Sequence, residues 1–528
     1  MGFYVNPGNS AFAEIADADY VDKTGLIALI NQTLGKRNKL TCVSRPRRFG
    51  KSYAAKMLTA YYDCSCDSHS LFENRAVAGT KEYQQYLNQF NVICIDVTSF
   101  TSDVKKRKGT MQDVPVLIEQ AIRKDLIEAG FKPAEGDSLN DFLIRCTEQP
   151  TGRKFIFIID EWDAVIREAR EDTVAQEAFL NLLRGWFKNS NFTPRVVAAA
   201  YMTGILPIKK DGSQSAISDF KEYSMLHPGR FAKYTGFSEG EVKKLCKRHK
   251  MPFEEVKTWY DGYLLSDSFS VYNPFSVMSA MEEGTCRSFW GKTSASEALT
   301  DYINMDFDGL QETISRLIAG SEVEVNTSRF QNDFERFKTK DDVLTLLIHL
   351  GYLTYDASEG AVHIPNEEVR LEFESFLGEN DFSEHWAKLI NRSKKLLQDT
   401  VNKNGSAVAA ALEEIRAEQY APLFYNNEQS LRAVIKYAYL AAVGRYVKIE
   451  EMPSGAGIAD VVYIPASNSR LPAMIIELKW NKSSGGALAQ IRNRQYTAAL
   501  KPFAGNILLV GISYSEKTGR HTCKIETA

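Results

Sequence analysis

Nine residues near the start of the chain, Ser44 to Ser52, read SRPRRFGKS, and they follow an apolar run, Lys39 to Val43, that reads as a strand. A strand, a tight loop ending in Gly-Lys-Ser and a following helix together make a phosphate cradle. The loop aims backbone N–H groups inward, Lys51 reaches the terminal phosphates, and Ser52 offers a hydroxyl to Mg²⁺. The helix that opens at Tyr53 turns its positive end to the anion. Gly50 belongs to the same cradle, and Arg47 and Arg48 carry forks that suit phosphate oxygens. One position departs from the pattern: Arg45 stands where the first glycine of the motif is expected. Arg45 either trades loop flexibility for charge or braces the loop from within. The plain alternative to the whole reading is a basic surface loop that caps a helix.

A chain of 528 residues exceeds one ordinary core and suggests about three domains. Hydrophobic content of 44% with 25% charged residues describes a soluble globular protein. Lys and Arg number 64 against 67 acids, a net charge of −3, so no global basic field advertises nucleic acid. No secretory signal and no membrane-length apolar stretch is visible. The eight cysteines are scattered, as reduced thiols in cytoplasm would be. Cys64, Cys66 and His69 lack a second ligand pair, which argues against zinc.

From 36 to 205, strand-like and helix-like runs alternate, the pattern of a parallel α/β sheet with helices on its faces. The strand candidates are Lys39–Val43, Asn91–Val97, Phe155–Asp160 and Arg195–Thr203. From Ser238 to about Leu350 the chain reads as mostly helical. A helix and short hairpin over 342–365 suit a winged-helix module, with a plain packing subdomain as the alternative. Asn366 to Gly378 reads as a helical linker, and a last α/β segment runs to the end.

Phe155-Ile-Phe-Ile-Ile-Asp160-Glu161 is a buried-strand pattern ending in two acids, at the sheet edge where open α/β folds bind ligands. Asp160 is placed to hold Mg²⁺ through water, and Glu161 to polarise the water that attacks a γ-phosphate. The strand candidate at 91–97 lies between this run and the phosphate loop in sequence. That inserted strand argues for the ATPases with an additional central strand. Thr203, at the end of the next strand, is a candidate polar sensor. No arginine finger is identifiable.

A second constellation lies near the tail. Asp460, in Gly457–Ile464, and Glu477 and Lys479, in Ala473–Trp480, sit on two strands joined by a Pro-containing turn. Side chains alternate along a strand, so Glu477 and Lys479 share a face with Ile475. Two carboxylates suit Mg²⁺, and an ammonium beside them orients or deprotonates water and offsets charge on a phosphorane. Glu428 is a further metal or outer carboxylate candidate. Gln490 and Tyr496, on a helix opened by Gly485-Gly486, are candidates to line the cleft, and Arg492 and Arg494 to meet a phosphate backbone. A strand near 445–450 completes an α-β-β-β-α-β order ending at Asn506–Ser513.

Taken in order, these motifs resemble the bacterial AAA-ATPase-like proteins that carry a C-terminal PD-(D/E)XK nuclease domain. The likeness also covers Tyr20-Val-Asp22-Lys23-Thr24, Trp259–Tyr263, Tyr272-Asn-Pro274 and Ile364–Val369. It implies that Arg45 is a trait of the loop rather than a lesion, and that Trp162 replaces a more usual tyrosine. It further implies an ATPase domain over 1–235, a helical and winged-helix-like middle over 236–380 and a restriction-endonuclease-like α/β domain over 381–528. Expected ligands are ATP and Mg²⁺, and the expected partner is nucleic acid, DNA ahead of RNA. No membrane is involved, and a homo-oligomer is allowed. ATP-gated phosphodiester hydrolysis is the leading expectation. The alternative is a nucleotide-dependent switch whose C-terminal domain binds nucleic acid or protein without cutting, which the slightly acidic balance suits.

Overall fold

The computed structural model describes residues 2–528 except 17–18, 150–151, 209–216, 267–268, 291–306, 319, 331–336, 338, 380–382, 420–424, 426, 443–445, 455–456, 466–470, 495, 498–499 and 501–504. The chain divides into two compact units. The first comprises Met1–Val256, Tyr260–Thr285 and Glu324–Val362; the second comprises Lys257–Trp259, Cys286–Val323 and His363–Ala528.

The first unit is built on a five-stranded sheet of β1 (Leu40–Ser44), β2 (Asn91–Asp96), β3 (Phe155–Asp160), β4 (Val197–Gly204) and β5 (Lys221–Tyr223). Its spatial order is β2-β3-β4-β1-β5, and its neighbours pair in parallel. Burial on both faces explains why β1, β3 and β4 read as continuous apolar runs. Ile93, Phe157, Ile159 and Met202 meet the helices Val114–Glu128 and Thr173–Phe187 on one side. Val43, Ile156, Ile158 and Tyr201 meet the helix Lys51–Tyr62 on the other.

The order corrects one sequence inference. The strand between β1 and β3 in sequence, β2, lies at the sheet edge, whereas β4 is inserted between them in space. Sequence adjacency says nothing about lateral order, because right-handed crossovers let a strand skip its neighbour. The additional central strand is therefore the Thr203 strand.

The stretch read as mostly helical contains a hairpin, β6 (Tyr263–Ser266) with β7 (Phe269–Val271). Its short aromatic and aliphatic runs are too brief for periodicity to distinguish helix from strand. Further short strands are β8 (Val323–Glu324), β9 (Thr354–Asp356) and β10 (Ala361–His363). The helix Lys340–Leu350, closed by Gly351 at φ 86°, precedes the β9–β10 hairpin in the helix-then-hairpin order that the sequence indicates.

In the second unit a mixed sheet runs β11 (Tyr446–Ser454), β12 (Gly457–Pro465), β13 (Ala473–Trp480), β14 (Ile507–Ser515) and β15 (Arg520–Thr527). Only β13 and β14 pair in parallel, across the helix Ser484–Asn493. The turn between β12 and β13 lies at 466–470, outside the described residues. Strand β15 is missed by the sequence reading: its inner face carries Cys523 and Ile525 between the polar His521 and Thr527, too weak an apolar alternation to read as a strand, although Cys523 and Ile525 both pack against the core. Ile476, Leu478, Val510 and Ile512 share a core with the helices Ser383–Val401, Gly405–Gln419 and Glu428–Ala438. On the opposite face Val462, Ile475 and Leu509 meet Leu488 and Ile491.

Gly511 sits under the helix Ser484–Asn493. A Cβ there would stand 2.3 Å from the Ser484 carbonyl oxygen and 3.1 Å from the Ala487 Cβ. Gly511→Ala must lift that helix off β14, and a loss of about 1–3 kcal/mol is expected in urea unfolding of the full chain. An unchanged unfolding midpoint would contradict this packing.

Candidate functional sites

At the end of β1 the loop turns with Arg48 at φ 70° and Gly50 at φ 84°, then enters the helix at Lys51. Lys51 is 5% exposed. Its ammonium donates to the Pro46 carbonyl at 3.0 Å and stands 3.3 Å from Glu161 Oε1. The phosphate loop and the acids after β3 thus meet at the carboxyl edge of the sheet, as the parallel order requires.

Asp160 ends β3 and is 7% exposed. Burial pushes its carboxyl up to about 6, against a hydrogen bond from the Ser52 hydroxyl, while the neighbouring Glu161 charge raises it further. Asp96 lies directly opposite Asp160 in the β2–β3 register, and burial raises its carboxyl too. The exposed Ser52 hydroxyl beside the buried Asp160 carboxylate, with Asp96 and Glu161 adding negative charge that Lys51 only partly offsets, suits Mg²⁺, which takes oxygen ligands. Glu161 goes the other way. Burial opposes its ionisation, but Lys51 and Arg167 overcome that and lower its pKa.

Several predicted residues are placed otherwise than expected. Arg45 is fully buried and points away from the loop mouth. Its Nε donates to Thr235 Oγ1 at 2.9 Å, and its Nη1 donates to the Ser44 and Tyr223 carbonyls at 2.8 and 2.9 Å. Arg45 therefore braces the loop through carbonyls and a hydroxyl, the second of the two roles considered. Burial alone brings its guanidinium down to about 10. Thr203 is also fully buried, and its hydroxyl donates to the Val43 carbonyl at 2.8 Å, so it ties β4 to β1 instead of facing the loop mouth. Arg48 lies over the Phe275 ring, 4.5 Å from its centroid. Arg47 is brought to the acids: burial, then repulsion from Arg167, lowers its pKa, and Glu161 and Asp163 counter that. Sequence reasoning assigned no role to Arg167 or Asp163, because an ion pair four residues apart resembles any solvated helix turn.

Residues 7–213, which hold β1 to β4 and these groups, match the family model described as "Predicted AAA-ATPase". This segment is an AAA-ATPase-like domain. The chain is also similar to the solved structure of the Aeropyrum pernix ORC2 protein in ADPNP-ADP complexes. That likeness has 12% identity and a TM-score of 0.35, and covers 69% of this chain and 96% of that one. A Walker-type ATPase of Pyrococcus abyssi is similar at 13% identity and a TM-score of 0.32, over 66% of this chain and 94% of that one. Both scores lie too low to assign a fold. A search of curated proteins gives no match. Among the described residues no helix is long and apolar enough to cross a membrane.

The tail constellation lies in the second unit, beyond the AAA-ATPase-like domain. The β12–β13 pairing runs from Tyr463↔Met474 to Val461↔Ile476 and stops there. Asp460 and Glu477 are the next residue on each strand, so the strands part where the two carboxylates stand. Asp460 Oδ2 accepts the Leu478 amide at 2.8 Å, which closes the fork with a side chain. Asp460 Oδ1 accepts from Arg432 at 2.9 Å, and Arg432 also pairs with Glu451 at 2.7 Å.

Glu477 is 1% exposed. Its Oε1 accepts from Lys479 at 2.9 Å and from Gln490, while its Oε2 is buried and finds no hydrogen-bond partner among the described residues. Burial and then Asp460 raise its pKa, and Lys479 opposes both. An orphaned buried carboxylate oxygen beside a second carboxylate is the donor set a divalent cation relieves. Among the described residues, however, no three acid, histidine or cysteine side chains form a metal-sized cluster. Glu428 opens the helix Glu428–Ala438, one turn before Arg432, and among the described residues it forms no metal-sized cluster with the pair. Tyr496 is buried; its hydroxyl donates to the Ile458 carbonyl at 2.7 Å and stands 3.4 Å from Gln490 Nε2. It backs Gln490 rather than facing a cleft. Arg492 pairs with Glu526, and Arg494 reaches the Tyr496 hydroxyl at 3.5 Å.

The raised Asp160 pKa has a stability consequence. The folded chain holds this proton more tightly than the unfolded chain, whose carboxyl titrates near 3.8. Ionisation therefore costs nothing below that value, costs progressively more as pH rises to about 6, and costs a constant amount above it. Asp160→Asn should stabilise the nucleotide-free protein by about 2 kcal/mol near pH ~8 and hardly at all near pH ~4. Equal urea midpoints for the two proteins near pH ~8 would contradict the shift.

Proposed function

We propose that the chain is an ATP-hydrolysing protein with a second, metal-dependent phosphodiesterase centre in its C-terminal part, and that nucleotide state gates cutting of nucleic acid. In this reading residues 1–235 form the ATPase, 236–380 a helical, winged-helix-like middle, and 381–528 the nuclease-like domain. The observation that carries the ATPase half is the 3.3 Å approach of Lys51 to Glu161 beside the buried Asp160. A triphosphate offers Lys51 more negative charge than one carboxylate does. Lys51 exchanging toward phosphate frees an oxygen of Glu161 to accept a proton from water. Arg47 faces the same edge and is suited to grip phosphate oxygens. Ser52 and Asp160 would hold Mg²⁺.

The phosphodiesterase half rests on the unpartnered Glu477 oxygen. Asp460 and Glu477 would hold Mg²⁺ there. When bound at either centre, the ion supplies Lewis-acid polarisation of phosphoryl oxygens and of water. Lys479, already on Glu477, orients that water and offsets charge on the phosphorane. Gln490 fixes the Glu477 carboxylate. DNA is the favoured partner, RNA the second, and a homo-oligomer is compatible with both.

A second reading, a switch that binds nucleic acid or protein without cutting, is favoured by the Arg432 guanidinium on Asp460. It places a protein cation where a metal ligand is needed.

Full-length protein should turn over ATP with Mg²⁺ and degrade DNA or RNA. Lys51→Ala should lose at least about tenfold in ATP affinity. Lys479→Ala should keep ATP binding and slow degradation about 100-fold or more. Degradation at the wild-type rate by Lys479→Ala would overturn the catalytic assignment, and ATP turnover without any degradation would favour the switch.

A further inference from the structure

Glu161 is held from two sides, and only one of them belongs to the phosphate loop. Arg167, on the helix Ala164–Glu168, donates from Nη2 to Glu161 Oε2 at 2.6 Å and from Nε to Asp163 Oδ2 at 3.0 Å. Asp163 is fully buried. Its Oδ2 also accepts the Ile205 and Leu206 amides at 3.2 and 2.9 Å, just past the end of β4. The guanidinium is thus fixed at one end to the backbone leaving the central strand, and its free prong ends on Glu161.

Glu161 itself has φ 52°, a left-handed conformation that disfavours a side chain of its size. Something must keep the carboxylate directed in that setting. The charged groups facing it are Lys51 from the helix Lys51–Tyr62, Arg47 from the loop, Asp160 and Asp96 from the strand ends, and Arg167 with Asp163 behind it. Lys51 and Arg47 have a second claimant in a triphosphate. Arg167 has none, because Asp163 already holds it.

Building on the ATPase reading, we propose that Arg167 is a positioning residue for ATP hydrolysis. It keeps the Glu161 carboxylate directed at the attacking water while Lys51 turns to phosphate, and it contributes nothing to nucleotide binding. Lysine cannot replace it, since a single ammonium does not span both carboxylates with a planar fork.

The test is a double-mutant cycle on the full chain, with fluorescent-ATP affinity, steady-state turnover and melting temperature read for each protein. Arg167→Ala should lower kcat about 100-fold, as loss of alignment does, and change the nucleotide Kd by less than about threefold. Arg167→Lys should recover little of the turnover. In a Glu161→Gln background, Arg167→Ala should change kcat by less than about twofold, because it acts through that carboxylate. Arg167→Gln, which retains a donor for Asp163, carries the same test if the alanine variant is poorly folded. The proposal is overturned if turnover survives in Arg167→Ala, or if the loss is equally large in the Glu161→Gln background. Affinity, turnover and melting temperature falling together in both the alanine and the glutamine variants would also overturn it, as a structural brace. Wild-type protein that binds ATP without turning it over defeats the ATPase reading and this proposal with it, a result distinct from all of these.

Discussion

The approach of Lys51 to Glu161 depends on a parallel sheet in which β4 separates β1 from β3. Parallel strands deliver all their carboxyl ends to one edge, so the loop after β1 and the acids after β3 share a mouth although 109 positions separate Lys51 from Asp160. The intervening strand sets the spacing. Its contribution is carried by groups that do no chemistry: Thr203 ties β4 to Val43, and the amides beyond β4 hold Asp163. The site is therefore rigid behind and charged in front, with Arg47, Lys51 and Arg167 set against Asp96, Asp160 and Glu161. Burial raises Asp160 while cations lower Glu161, so adjacent carboxyls are driven apart in acidity. That separation suits one group for a metal and the other for a proton.

The second unit reaches a comparable result by different means. There the two carboxylates meet because antiparallel strands stop pairing one residue short of them, and a side chain replaces the lost ladder bond. Lys479 and Gln490 offset the burial of Glu477 on a single oxygen, leaving the other without a partner among the described residues. Gly511, opposite Glu477 in the β13–β14 register, permits the close helix that carries Gln490.

Much of this was legible in the residues. The phosphate loop announces itself through spacing and the strand before it. The Phe155–Asp160 run is readable because a strand buried on both faces has no polar interruption. Period-two alternation was enough to put Glu477 and Lys479 on one face. Lateral order was not legible, since β2 and β4 look alike as strings and only packing decides which is central. Side-chain direction was lost as well. Arg45 resembles a phosphate ligand until it is seen donating to carbonyls from a fully buried position, and Tyr496 resembles a cleft residue until its hydroxyl is found on Ile458. Arg167 gave no signal because its pairs with Glu161 and Asp163, six and four residues before it, look like any solvated turn, and only packing shows Asp163 buried against the backbone beyond β4.

The account requires two separate divalent-cation sites on one chain, one that needs nucleotide and one that does not. Mn²⁺ binding followed by electron paramagnetic resonance reads this directly in the full-length protein. One bound ion is expected without nucleotide and two with a non-hydrolysable ATP analogue; Glu477→Gln should remove the first and Asp160→Asn the second. A stoichiometry indifferent to both substitutions would contradict the account.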